Sequence, residues 1–193
     1  MVGAILAGGA GRRMGGSKAA RMLAGRPLAA YPAAALRPSC ARVALVAKPG
    51  DELPDIAGVE LWDGEPSEPR HPATGIAYAL DQADERVLVC ACDMPFVTDG
   101  ECRRLIDAAR DRGEAPAVVA VAGGALQPIL GIYPPSALAP LAAAAASGAR
   151  LVDAVEALGP VLVELPVEAV RSVNTEEDLA AAERELGQPR RSR

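Results

Sequence analysis

The residues best suited to chemistry cluster near the start of the chain, in the stretch Leu6-Ala7-Gly8-Gly9-Ala10-Gly11-Arg12-Arg13-Met14-Gly15-Gly16-Ser17-Lys18. Five glycines here remove side chains and permit positive φ, so backbone N–H groups can crowd around an anion. Two arginines and a lysine add the charge that a triphosphate requires. Two common phosphate loops do not fit. A P-loop needs Gly-Lys-Ser/Thr, but Ser17 precedes Lys18 and Ala19 follows it. A dinucleotide fingerprint needs Gly-x-Gly-x-x-Gly, but Met14 stands where the last glycine belongs. A merely flexible linker would not need three cations at a strand end.

A second chemical candidate is Asp93, which closes the apolar run Val89-Cys90-Ala91-Cys92 ahead of Met94-Pro95. One carboxylate together with substrate phosphates is a common way to hold Mg²⁺. A helix-capping role for Asp93 is weakened because Thr98, with Glu101 three residues on, already forms a capping pattern. The cysteines at 90, 92 and 102 lack a second pair at zinc spacing, so they read as small core hydrophobes. His71 is the sole histidine, and no neighbouring residues suggest a triad, so a solvated loop position is expected.

The elements that must carry these residues alternate. Strands are expected at 2–6, 42–46, 59–61, 86–92, 117–121, 128–133 and 161–165. The run at 87–92 does not alternate polar with apolar, as suits a central strand covered on both faces. Helices are expected around Ile76, Leu80 and Ala83, from Thr98 to a stop near Gly113, and from Thr175 with Asp178 as partner. Such alternation predicts an α/β fold with a mostly parallel sheet and right-handed crossovers. Loops at 48–58 and 64–72 follow strands, so both are expected to wall the ligand site at the carboxyl edge.

The chain has 193 residues, half of them apolar, which suits one domain over 1–187 followed by a solvated basic tail at 188–193. A net charge of -5 argues against a nucleic-acid partner held on a broad basic face. Met1 leads straight into a strand, and no apolar run is long enough to span a bilayer. A cytoplasmic setting with reduced thiols is expected.

The glycine-rich stretch resembles the signature of nucleotidyltransferases with a Rossmann-like fold, and is most similar to the molybdenum cofactor guanylyltransferase family. The likeness extends from Val2 to about Leu186. It implies a three-layer α/β/α sandwich and transfer of GMP from Mg·GTP to molybdopterin, with release of pyrophosphate. It implies that Leu6, Ala7, Gly8, Gly9 and Gly11 hold the nucleotide, while Arg13 and Lys18 neutralise the departing pyrophosphate. Arg12 falls at a variable position and receives no role. Asp93 matches the family's Mg²⁺-binding aspartate in a strand–Asp–x–Pro segment.

Further matches are partial. Asp63, after Trp62, aligns with an aspartate that contacts the nucleotide in the family; an exposed turn is the other reading. In His71-Pro72-Ala73-Thr74-Gly75-Ile76 the family's Gly-Pro-Leu-Ala-Gly-Ile is kept at Pro72, Gly75 and Ile76, which favours guanine over cytosine. Lys48 stands where the family usually has an asparagine. The segment from Gln127 to Tyr133 resembles one near the acceptor side. Asn174 matches the second asparagine of a terminal motif and is a candidate metal ligand, while Ser172 replaces the first and Glu176 replaces a proline. Implied partners are GTP and molybdopterin as substrates, and proteins that deliver molybdopterin or receive the product. Two other readings remain open: the same fold acting on another nucleotide or phosphorylated acceptor, and a non-catalytic nucleotide-binding relative.

Overall fold

The computed structural model describes residues 1–7, 17–110 and 116–187. The expected Gly113 helix stop, the tail at 188–193 and the loop residues Gly8, Gly9, Gly11, Arg12 and Arg13 lie outside the described residues.

In chain order the elements are β1 (Val2–Leu6), β2 (Met22–Leu23), β3 (Arg26–Pro27), α1 (Ala30–Leu36), β4 (Arg42–Val46), β5 (Glu60–Trp62), α2 (Pro72–Ala83) and β6 (Val87–Ala91). They continue with α3 (Asp99–Arg110), β7 (Val118–Ala122), β8 (Ala125–Tyr133), α4 (Leu138–Ser147), α5 (Leu151–Glu156), β9 (Val161–Glu164) and α6 (Glu176–Leu186). Seven strands form one sheet in the order β5-β4-β1-β6-β8-β7-β9, and β2 pairs with β3 in a separate hairpin. β1 lies parallel to β4 and to β6, with Val2 opposite both Arg42 and Val87. Within the sheet only β8 runs against its neighbours. The expected mostly parallel α/β sheet is therefore what the chain forms.

Two cores cover the two faces of this sheet. On one side Ile5, Leu45, Leu88, Cys90 and Ile132 pack with Leu36 of α1 and Cys102 and Leu105 of α3. On the other, Val2, Ala4, Val87, Val89 and Tyr133 pack with Ile76 and Leu80 of α2 and Leu141 of α4. Alternate residues of β6 thus enter opposite cores, which is why this strand lacks a polar period. Cys90, Cys92 and Cys102 share the first core, and every cysteine of the chain is a free thiol. A third cluster joins Leu23 and Leu28 near the β2–β3 hairpin to Val173, Leu179 and Ala182 around α6.

Helix ends follow their local chemistry. Proline cannot donate a backbone hydrogen bond, so Pro72 suits the first turn of α2. His71 Nδ1 accepts the Ala73 N–H at 3.1 Å and caps that helix. The histidine expected to be merely solvated is instead half-buried and structural. Glu101 takes the Thr98 N–H at 2.9 Å, and Thr98 Oγ1 accepts from Gly100 N. Thr175 and Asp178 complete a reciprocal capping box on α6.

β7 and β8 turn through Gly123 and Gly124, with φ of 56° and 76°. A two-residue hairpin with both centres at positive φ matches the strand twist, and glycine allows it at little cost. The pairing then shifts between Val119 and Ala120. Pro128 lies in the irregular stretch, where its missing N–H is tolerated. Tyr133, fully buried, donates its hydroxyl to the Pro128 carbonyl across this irregularity. Among the described residues no helix is long and apolar enough to cross a membrane.

Candidate active site

Parallel strands deliver their carboxyl ends to one edge of the sheet, and the following loops meet there. Ala7 N bonds Val46 O at 2.8 Å, and Cys92 N bonds Leu6 O at 3.1 Å. The ends of β1, β4 and β6 are thereby held side by side. Ala47 N bonds Trp62 O at 3.0 Å, and Glu65 N returns to Ala47 O at 3.0 Å. Val173 N bonds Asp93 O at 2.8 Å, bringing the segment before α6 to the same edge.

Lys18 reaches this edge on a single 3-10 turn, Lys18–Ala20. Ala19 beside it is fully buried, and its carbonyl accepts from Ala29 N at 3.2 Å. The Lys18 ammonium donates to Asp93 Oδ2 at 2.6 Å and to Asn174 Oδ1 at 2.6 Å. Lys18 and Asp93 are both mostly buried, with side chains 15% and 14% exposed. The remaining Asp93 oxygen, Oδ1, is buried without a hydrogen-bond partner among the described residues. A buried carboxylate oxygen left unpaired is costly, and it marks a place where a cation or donor belongs. Three residues expected to act together, one as charge neutraliser and two as metal ligands, therefore converge from three distant parts of the sequence.

The donor set suits Mg²⁺. Among the described residues no group of three His, Cys, Asp or Glu forms a complete cage. Mg²⁺ is ordinarily held by one or two protein oxygens plus substrate phosphates and water, so a full cage is not required. Asp93 and Asn174 supply such oxygens, already gathered around a positive charge.

The second half of the edge is built around Glu65. This carboxylate is 5% exposed, while Lys48 Nζ donates to Glu65 Oε1 at 3.1 Å and to Pro66 O at 2.7 Å. Burial pushes the Glu65 carboxyl above its usual range, and the Lys48 ammonium pulls it back down. A β-carbon at Gly75 would lie 3.4 Å from Leu6 Cδ2 and 3.5 Å from Glu65 Oε1. Gly75, expected to line the nucleotide, therefore sits between this carboxylate and Leu6, which carries the same expectation.

Other expected residues have different placements. Asp63 follows β5, is exposed and has no side-chain partner among the described residues. Pro72 is exposed at the start of α2. Gln127 donates to Ala125 O within its own hairpin. Tyr133 belongs to the core, not to a surface that could meet an acceptor. Sequence reasoning missed Glu65, since a glutamate in a Pro- and Glu-rich loop carries no local sign of burial. It also missed the ion pair between Arg21 and Glu176, which ties the β2–β3 region to α6 beside Asn174.

Comparison with known proteins identifies the family and the fold. The chain is 36% identical over 190 residues to a molybdenum cofactor guanylyltransferase of Cereibacter sphaeroides, covering 95% of each chain. It is 37% identical over 102 residues to a probable molybdenum cofactor guanylyltransferase of Mycobacterium bovis, about half of each chain at 51%. The crystal structure of molybdopterin-guanine dinucleotide biosynthesis protein A from Archaeoglobus fulgidus superposes with a TM-score of 0.74 at 25% identity, covering 96% of this chain and 98% of that one. A 2-C-methyl-D-erythritol 4-phosphate cytidylyltransferase from Thermus thermophilus shares the fold, with a TM-score of 0.68 at 24% identity over 95% and 97% of the two chains. The MobA-like NTP transferase domain matches residues 3–161, and the chain belongs to that family of nucleotidyltransferases.

Proposed function

We propose that this protein transfers GMP from GTP to molybdopterin with Mg²⁺, acting in the cytoplasm as a single domain over residues 1–187. The observation that carries the reading is the Lys18 ammonium shared between Asp93 and Asn174 at the carboxyl edge of the sheet. It is supported by the likeness to guanylyltransferases along nearly the whole chain.

In this reading the glycine loop after β1, including Gly8, Gly9 and Gly11, cradles the triphosphate with its N–H groups. Leu6 and Ala7 form its floor, and Gly75 allows the nucleotide to approach α2. The family likeness assigns Asp63 and Pro72 to the nucleotide as well. Asp93 and Asn174 would hold Mg²⁺, which supplies charge neutralisation and alignment of the phosphate oxygens. Once nucleotide is bound, Lys18 releases the two oxygens and turns its ammonium toward the phosphates, joined by Arg13. A phosphate oxygen of molybdopterin attacks the α-phosphorus in line. The bond from that phosphorus to the bridging oxygen of the β-phosphate breaks, and pyrophosphate leaves with the bonding pair. The acceptor is already an anion at neutral pH, so no side chain need remove a proton from it. Positioning and preorganised positive charge then supply the rate enhancement.

The test is pyrophosphate release from GTP, CTP, ATP and UTP with Mg²⁺, with and without molybdopterin. Release from GTP that requires molybdopterin is the expected result. Binding of GTP without release would point to another acceptor, and failure to bind any of the four would favour a non-catalytic role.

A further inference from the structure

Guanine presents three groups along its Watson–Crick edge: the O6 acceptor, then the N1–H and 2-amino donors. A protein that reads this edge needs one donor beside a pair of acceptors. Lys48 and Glu65 are such a pair, an ammonium 3.1 Å from a carboxylate. They stand at the ends of β4 and β5, where Glu65 N bonds Ala47 O. Gly75 borders the carboxylate and has Leu6 on its other side, so Glu65 lies beside residues assigned to the nucleotide.

Glu65 is the buried carboxylate of the described chain, and burial of a carboxylate opposes folding. An apolar side chain of similar size would serve packing as well or better. The pair therefore calls for a role other than stability. We propose that Lys48 and Glu65 read the base of the bound nucleotide: Lys48 Nζ donates to guanine O6, and the Glu65 carboxylate accepts from N1–H and the 2-amino group. This rests on the proposal that GTP is the nucleotide donor, and it identifies the residues that select it. Adenine offers an amino donor opposite the ammonium and a bare ring nitrogen opposite the carboxylate. Cytosine likewise sets its amino group against Lys48 and two acceptors against Glu65. Both arrangements leave charged groups unsatisfied, which is where polar sites discriminate most strongly.

Analogues separate the two residues. Inosine triphosphate keeps O6 and N1–H but lacks the 2-amino group, while xanthosine triphosphate carries an oxygen in its place. Dissociation constants for GTP, ITP and XTP with Mg²⁺ are measured on the full chain by calorimetry. Wild type is expected to bind GTP about 10- to 100-fold tighter than ITP, the value of one hydrogen bond to a charged group. Glu65→Gln exchanges one acceptor for a donor, so it is expected to weaken GTP by at least about tenfold and to strengthen XTP by a similar factor. Lys48→Met is expected to weaken GTP and ITP equally, since both carry O6, and to preserve their ratio. A purely structural role for Glu65 would not move binding toward XTP, and thermal unfolding confirms that each variant is folded. Equal binding of GTP and ITP by wild type, or an unchanged GTP-to-XTP ratio in folded Glu65→Gln, overturns the inference while leaving the guanylyl-transfer reading intact. Preference of the wild type for CTP over GTP overturns both.

Discussion

The Lys18 ammonium lies 2.6 Å from Asp93 Oδ2, although 75 positions separate the two residues in sequence. The same ammonium holds Asn174 Oδ1, so one side-chain cation occupies the oxygens assigned to Mg²⁺. Two positive charges cannot share those oxygens at such distances without strong repulsion. In the proposed mechanism nucleotide binding exchanges one cation for the other, with Lys18 moving to the phosphates.

Removal of that internal cation is expected to change metal binding before any chemistry. Lys18→Met should bind Mn²⁺ more tightly than wild type in the absence of nucleotide, as read from the electron paramagnetic resonance of free Mn²⁺. The same variant should lose at least about 100-fold in pyrophosphate release, since it lacks charge on the leaving group. Unchanged Mn²⁺ affinity would mean that the Asp93–Asn174 pair is not the metal site.

Asp93→Asn keeps the size of the side chain and removes its charge. Pyrophosphate release from GTP in the presence of molybdopterin should fall by at least about 100-fold, comparable to loss of a major electrostatic group. Added chelator should reduce wild type to a similar level. Turnover that survives the substitution would remove Asp93 from the metal assignment.

Tyr133 offers a contrast, because its hydroxyl serves Pro128 and faces the core. Tyr133→Phe leaves a buried carbonyl without its donor, which costs about 1–3 kcal/mol of stability. Denaturant unfolding should register this loss while kcat and KM stay at wild-type values. A fall in kcat without a fall in stability would restore the segment from Gln127 to Tyr133 to the acceptor side.

The buried thiols give the protein an alkaline limit. Burial pushes Cys92 and Cys102 up to about 12, and Cys40 up to about 11, from an ordinary value of 9.0. As pH rises above 9 the unfolded chain loses these protons first, so unfolding gains ground progressively until the folded thiols ionise near 12. Thermal unfolding temperature should therefore fall across that range. Since the thiolate is the reactive form, alkylation of native protein at pH 8 should be slow at all three positions and fast after denaturation. Rapid native labelling of Cys92 or Cys102 would contradict their burial.

Much of this protein was legible in its sequence. β1 and β4 occupy the residues that the apolar runs at 2–6 and 42–46 predict. β6 is covered on both faces, as its unbroken apolar run demands, and the helices capped by Thr98 and Thr175 start where those caps stand. Local chemistry suffices in these places, because hydrophobic period and capping act over a few residues. The Ala-rich helices α1 and α4 and the two-residue strands β2 and β3 escaped notice, since alanine runs and dipeptides carry no period to detect. β8 extends to Ala125 because the Gly123–Gly124 turn pairs residues that are weak strand formers alone.

The site divides in the same way. Residue type and position marked Lys18 and Asp93 as candidates for phosphate and metal chemistry, and the family resemblance added Asn174. Only the tertiary structure brought them within one hydrogen bond of each other, because sequence pattern is silent about contacts across 75 and 156 positions. The same reason hid Glu65. It is packed beside Gly75 and Lys48, which arrive from two other segments of the chain. The sequence by itself determined the order of strands and helices and the chemical repertoire at their ends. The parallel sheet decided which of those ends meet, and so which charges face one another at its carboxyl edge.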